Sequence, residues 1–428
     1  MTTLYLMYLD LLSMIVHSIT QLRDFIYRVC YIMEVPQPPT PGTGTVTKEF
    51  LSHLFGQNVS LVRHETLHEN QGFAGNRMRI EVTFHSDIET FLILKTSLAT
   101  RIGRKQILFG TSGIREVLFY KSKYASRMKE FQQIPKTYYL YGSRGLGEMV
   151  IIMEDLQGAT PVNHLMGNQI WKVPDATPIV DKIDMLHAMF LQAACWHAQF
   201  WKDPSILNQQ WMRNANYFLG QGRHQWEKSI AMAKKGWNKL KENSEIKFPA
   251  GFQEMMDKSY SISNFDLVVE HCKSTPWTLT HGDYHAANIM VSIGAGKSVN
   301  ALLEGLKVLN WSKVGPWEPT TDLALPCVSD LPRQLYPQVH TVLKEYHKKL
   351  TSMGVDDFSW EDCQSRFGES GMEHWIWTLG SMAHFPCPAI LFQYFVDQME
   401  AFWNDFCPRN VQFTLKNCGI PWKHDSHA

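Results

Sequence analysis

The hydrophobic pattern of this chain changes its period near Gly158, and that change restricts the possible folds more than any other feature. Between Val59 and Leu156 the apolar residues come in short runs. "RMRIEVTF" (Arg77 to Phe84) alternates in part, while "TFLILKTS" (Thr90 to Ser97) and "EMVIIMEDL" (Glu148 to Leu156) are compact and suit buried strands. Among them, "SGIREVLFYKSKYASRM" repeats at helical spacing, with Ile114, Val117, Leu118, Tyr120 and Tyr124 able to face a core. Beyond Gly158 long helical patterns take over, at Pro178–Lys202, Asn208–Glu242, Pro332–Met353 and Glu373–Phe406. Short apolar runs return only at Thr278–Leu325. A chain of 428 residues has room for two lobes. The expected class is α+β, with a small mixed-sheet N-lobe followed by a larger, mainly helical C-lobe.

Two segments precede this body. Leu4, Tyr8, Leu11, Ile15, Ile19, Leu22, Ile26, Val29 and Met33 recur at helical spacing, so residues 1–33 are expected to form one helix. Its apolar stretch Leu4–Ile19 contains Asp10 and falls short of the roughly 20 residues that span a bilayer. Docking on the protein's own body is the first reading. A membrane-surface or signal anchor stays open as the second. Residues 34–50, opening with "EVPQPPTPGTGTV", read as a linker because proline interrupts helices and extends the backbone. The remaining divisions are 51–156 and 157–410 for the two lobes and 411–428 for a C-terminal tail.

Charge and cysteine usage narrow the partners. Forty-one basic and 41 acidic residues cancel, so no global field draws in nucleic acid, and none is expected as a partner. The eight cysteines form no C-x-x-C pair and read as reduced thiols of a cytoplasmic protein. Membrane association through residues 1–33 would qualify that location. No feature of the sequence sets an oligomeric state.

The chemistry concentrates in "THGDYHAANIMV" (Thr280 to Val291). His281, Asp283 and Asn288 reproduce the H-x-D-x-x-x-x-N spacing of a phosphotransferase catalytic loop, between two strand-like runs. In such a loop the aspartate orients an attacking hydroxyl and accepts its proton, and the asparagine binds metal. A polar turn in which both side chains only bond nearby amides has the same sequence. Gly72 and Gly75 in "QGFAGNRMR" could cradle phosphates, although the pattern is not G-x-G-x-x-G. By composition alone Lys95 could be a snorkelling surface lysine and Glu116 a solvated helix residue.

"HGDYHAAN" resembles the loop of the aminoglycoside phosphotransferase and choline kinase superfamily, and the wider pattern is most similar to its ecdysteroid kinase-like branch, over roughly Leu51–Phe406. The resemblance implies a bilobal protein kinase-like fold that uses ATP and Mg2+ to phosphorylate a hydroxyl of a small metabolite. It assigns Lys95 of "LILK" to the phosphate-gripping strand lysine and Glu116 of "GIREVLFY" to its helix partner. Glu154, Asp155 and Leu156 become the hinge beside adenine, and "CWHAQFW" (Cys195 to Trp201) a helix typical of the branch. Asp322 of "TTDLA" matches a structural aspartate. Acceptor-pocket candidates are Trp196, Trp201, Trp311, Trp317, Trp375 and Trp377, each of which is equally at home in a core.

One position departs from the family pattern. The metal segment, "IDFQ" or "IDWQ" in the family, reads "LNWS" here and puts Asn310 where the metal-binding aspartate belongs. Asparagine retains an oxygen donor and loses the charge. One unit charge at about 4 Å is worth about 4 kcal/mol at an effective dielectric near 20, or about 10³-fold in rate. The metal ligands are then Asn288 and Asn310; Glu304 and Glu318 flank the segment, and Glu318 is the first replacement carboxylate to test. Three readings follow: a small-molecule kinase weakened at Asn310, a pseudokinase that binds nucleotide or metabolite, and a membrane-associated scaffold.

Overall fold

Five strands explain the first half of the chain: β1 (Val59–Thr66), β2 (Gly75–Phe84), β3 (Glu89–Ser97), β4 (Thr137–Ser143) and β5 (Glu148–Glu154). In the computed structural model they pair in the order β1-β2-β3-β5-β4. All four pairings are antiparallel, so the sheet expected to be mixed runs in alternating directions throughout. The structure describes residues 10–24, 38–39, 45–67, 75–98, 100, 114–166, 180–293, 296–385, 387–408 and 411–417. These divide into two compact units, one ending at Gln157 and one beginning at Gly158.

Strand periodicity sorts the first unit into two faces. Ile80 and Val82 of β2, Leu92 and Leu94 of β3, and Val150 and Ile152 of β5 build one core, against Phe50 and Leu51 of the Lys48–Phe55 helix. That helix starts inside the span read as linker. Its N-cap, Thr47, accepts a hydrogen bond from the Phe50 amide at 3.0 Å. The next strand positions face the other way, Lys95 among them, registered between Arg77 and Ile151. The short Arg115–Tyr120 helix, nearly all buried, contacts β4 on the sheet.

Residues 10–24 are helical and meet this unit through a face that sequence periodicity does not select. Ser13, Val16, Thr20 and Asp24 are buried, whereas Leu11, Met14, Ile15, Ile19 and Leu22 are about half exposed or more. In the described part of the helix, the apolar residues that recur at helical spacing are therefore not the ones buried. Polar satisfaction decides the orientation: Arg23 donates to both oxygens of buried Glu148, at 2.5 and 2.8 Å, and to Asp24 at 2.5 Å. The stripe positions Leu4, Tyr8, Ile26, Val29 and Met33 lie outside the described residues. Among the described residues no helix is long and apolar enough to cross a membrane.

The second unit is mainly helical. Helices Lys182–Gln199, Arg223–Lys241, Tyr336–Ser352, Trp360–Met382 and Ala389–Phe406 make its scaffold. Arg223–Lys241 and Trp360–Met382 approach backbone to backbone, where a Cβ on Gly236 would stand 1.9 Å from the Gly380 carbonyl oxygen. Helices Phe252–Ile262 and Phe265–Ser274 fill a stretch that periodicity left unassigned; the second starts at Asn264, whose side chain accepts from the Leu267 amide. Two small sheets sit among the helices. One joins β6 (Thr160–Pro161), β8 (Ile289–Val291) and β9 (Leu306–Val308), and the other joins β7 (Thr278–Thr280) to β10 (Gly315–Trp317). The segment from Val411 to Asn417 packs on this unit, with Phe413 and Leu415 buried.

Candidate active site

Strand pairing brings the two decisive loops of the second unit together. Residues 281–288 run from β7 to β8, and residues 309–314 run from β9 to β10. Both flanks are registered, Ile289 opposite Val308 and Thr280 opposite Gly315, so the loops are held side by side. The Leu309 amide completes the seam by donating to the Asn288 carbonyl at 2.8 Å. Gly282 has φ +75, and a Cβ there would lie 2.5 Å from the Lys313 carbonyl oxygen, so this close approach requires glycine.

Buried acids hold the first loop by its backbone. Asp322, fully buried, accepts from the His281 amide at 2.7 Å and the Gly282 amide at 2.9 Å. Asp330 accepts from the Ala286 amide at 2.9 Å. His197, given no chemical role by the sequence, braces Asp322 from behind: Nδ1 lies 2.9 Å from the Tyr346 hydroxyl and Nε2 3.4 Å from the Asp322 carboxylate. Burial holds the His197 imidazole below its usual pKa, which keeps it neutral. His281 ties one loop to the other. Its Nδ1 accepts from the Asp283 amide at 3.2 Å, so Nε2 carries the proton and donates to the Leu309 carbonyl at 2.8 Å.

Asp283 therefore projects from a fixed loop, with 18% of its side chain exposed. Burial pushes a carboxyl up, but Lys313 first, and then His285 and His281, hold Asp283 well below the usual carboxylate range. The Lys313 ammonium is 2.6 Å from Asp283 Oδ1. No sequence pattern pointed to Lys313. Arg213 was also missed; it donates to the Gly282 carbonyl at 3.4 Å and to the Asn417 carbonyl at 3.2 Å, linking the loop to the C-terminal segment.

Asn288 and Asn310, the two candidate metal ligands, are hydrogen-bonded to each other. Asn288 Nδ2 donates to the Asp283 carbonyl at 2.8 Å and to His285 Nε2 at 3.0 Å, and Asn288 Oδ1 accepts from Asn310 Nδ2 at 3.2 Å. Asn310 adopts the left-handed conformation, φ 62 and ψ 54, which asparagine tolerates better than most residues. An aspartate at 310 would set two oxygens against one another at this contact, an arrangement that calls for a cation between them. The amide supplies a hydrogen instead. Hard divalent cations take oxygen ligands that include carboxylates. Here the only carboxylate of the trio is already paired with Lys313. Among the described residues no three His, Cys, Asp or Glu side chains converge to hold a metal. These residues do not fit a divalent-cation site. Glu318, the suggested replacement, is committed elsewhere: it is buried and receives Arg366 at 2.7 and 3.0 Å.

In the first unit Lys95 Nζ is 2.5 Å from Glu116 Oε2, with 15% and 2% of the side chains exposed. The pair joins β3 to the Arg115–Tyr120 helix, with Glu116 in that helix's first turn. Gly75 opens β2 opposite Ser97, and Gly72 lies outside the described residues. The hinge candidates begin with Glu154, the last residue of β5, and continue into the segment after it. The Glu154 amide donates to the Lys136 carbonyl and the Asp155 amide to the Phe91 carbonyl, so both are engaged within the unit. The Asp155 carboxylate receives Arg79 at 2.7 Å. Of the six tryptophans considered for an acceptor pocket, Trp196, Trp311, Trp317 and Trp375 are buried. Trp196 packs on Tyr284 and Trp311 as part of the loop's support.

An α+β frame with a lysine–glutamate pair in its sheet unit and this loop in its helical unit defines the kinase-like class of phosphotransferases. The model of the ecdysteroid kinase-like family matches residues 69–354, more than half of the chain. The chain belongs to the ecdysteroid kinase-like family. Among solved structures it is similar to a microcompartment-associated aminopropanol kinase, with 14% identity over 82% of this chain and 94% of that one and a TM-score of 0.41. It is also similar to an ethanolamine kinase of Plasmodium vivax, with 12% identity over 79% and 80% and a TM-score of 0.43. A third is an amicoumacin kinase in complex with AMP-PNP, Ca2+ and Ami, with 12% identity over 82% and 90% and a TM-score of 0.43. No curated sequence matches the chain.

Proposed function

We propose that the chain is an ATP-dependent phosphotransferase that moves the γ-phosphoryl group to a hydroxyl of a small metabolite. The observation that carries this reading is Asp283: an ionised, part-exposed carboxylate on a loop whose backbone is held by Asp322 and Asp330. A protein that only binds has no need of such a base. In the reaction Asp283 orients the acceptor hydroxyl and takes its proton as the oxygen attacks phosphorus, and ADP leaves. Lys95, steadied by Glu116, grips the nucleotide phosphates. Asn288 keeps the loop in shape through its three hydrogen bonds. The ecdysteroid kinase-like family supports a small hydroxylated acceptor. Cys195, Cys272, Cys327, Cys363, Cys387 and Cys407 are free thiols, which fits a reducing compartment such as the cytoplasm.

The second reading, a nucleotide- or metabolite-binding pseudokinase, draws on Asn310. One experiment separates the two. The purified chain is incubated with ATP and a panel of hydroxylated metabolites, and ADP release is measured together with phosphorylated product. Product formation that falls by about 10³-fold in Asp283→Ala, a typical share for a positioned base, establishes the kinase. Nucleotide binding without product from any acceptor gives the site to the pseudokinase.

A further inference from the structure

The charges around Asp283 do not add up to a metal site. Asp283 contributes one negative charge, Lys313 one positive charge, and the two carboxamides none. An aspartate at 310 would leave the group negative and repel a polyphosphate unless a cation intervened. With asparagine the side chains of Asp283, Asn288, Asn310 and Lys313 sum to zero charge, and the cation among these four belongs to the chain.

The fold places Lys313 there deliberately. Asn310 turns the chain in the left-handed region, Trp311–Lys313 form a single tight helical turn, and β10 starts at Gly315 in register with Thr280. The missing Cβ at Gly282 lets the Lys313 backbone press against the catalytic loop. Trp311, fully buried between Trp196 and His281, anchors the turn from below. The lysine side chain remains 41% exposed. An ammonium has three hydrogens, and Asp283 Oδ1 takes one of them. The others can serve phosphate oxygens while the Asp283 contact is kept.

We infer that Lys313 is a built-in phosphate-binding cation, and that the site formed by Asp283, Asn288, Asn310 and Lys313 takes a nucleoside triphosphate without a divalent metal. The inference rests on the nucleotide-binding reading above and adds to it which group neutralises the phosphates.

The test measures ATP binding to the full chain by calorimetry, in EDTA and in excess Mg2+. The wild type is expected to bind equally well in both. Lys313→Met should lose about tenfold or more of its metal-free affinity, the worth of one charge-assisted hydrogen bond, while Lys313→Arg keeps most of it. Lys348→Met, an exposed lysine on the Tyr336–Ser352 helix, should bind as the wild type does. A readout free of nucleotide accompanies this. Asn310→Asp should melt at a lower temperature in EDTA and recover in Mg2+, because the aspartate restores the demand for a cation, whereas the wild type should be indifferent to Mg2+. The inference is overturned if wild-type binding collapses in EDTA, which leaves nucleotide binding itself intact. It is equally overturned if Lys313→Met binds metal-free ATP as tightly as the wild type. Absence of ATP binding under both conditions removes the inference and the nucleotide reading together.

Discussion

Two lysine–carboxylate pairs of nearly equal length occupy the two units, and they are built for different purposes. Lys95 and Glu116 are 2.5 Å apart with 15% and 2% of their side chains exposed; Lys313 and Asp283 are 2.6 Å apart with 41% and 18% exposed. The first joins a strand to a helix and lies largely out of water. The second joins two loops, and its lysine is open to solvent. Distance cannot tell them apart. Desolvation can, because a carboxylate taken out of water depends on its partner, while an exposed ammonium can exchange one oxygen for another at little cost. Glu116 therefore holds Lys95 in one fixed position, whereas the Lys313 side chain of the open pair can shift toward a ligand.

Stability measurements offer the largest contrast. Removing one partner of a buried pair costs about 3 kcal/mol, and Glu116→Ala is expected to lose that much in denaturant unfolding. Lys313→Ala should lose less than about 1 kcal/mol, since solvent screens the exposed lysine. Equal losses from the two variants would break the distinction and make the Lys313 contact structural.

The same contrast marks how far the sequence could be read. Apolar runs located β2, β3 and β5 of the first unit because burial leaves short apolar stretches, while β1 and β4 gave no such run; the loop around Asp283 was legible because its chemistry fixes residue types at fixed spacing. Lys95 and Glu116 needed the family pattern to stand out from ordinary surface residues. Lys313 was invisible to both approaches. Its importance comes from the β7–β10 pairing and from a glycine thirty-one positions earlier, which hydrophobic periodicity does not record. Asp330 became meaningful only once its contact with a loop amide was seen, and the contacts of Asp322 with two loop amides say what the aspartate matched by the family pattern does. Residues 10–24 show a different limit. Periodicity marked Leu11, Ile15, Ile19 and Leu22 as one helical stripe, yet these residues are exposed and the helix meets the unit through the polar contacts of Arg23, Asp24 and Glu148. Hydrophobic pattern finds faces, whereas polar partners across the chain decide which face is used.

The smallest expected effect concerns pH, and its sign follows from Asp283. Burial opposes its charge, Lys313 outweighs that, and the folded carboxyl titrates below the usual value of 3.8. A depressed folded pKa contributes stability that is complete above the unfolded value and is lost as pH falls through the folded one. Lys313→Met removes the main opposing charge, so the Asp283 carboxyl should titrate at higher pH than in the wild type. Carboxyl-detected NMR titration of the two proteins measures that movement directly. The melting-temperature gap between them should be present at about pH 6 and close as the solution is acidified below the ordinary carboxylate range. If the Asp283 titration is unchanged in the variant, Lys313 does not govern the charge of the base, and the histidines at 281 and 285 become the groups that do.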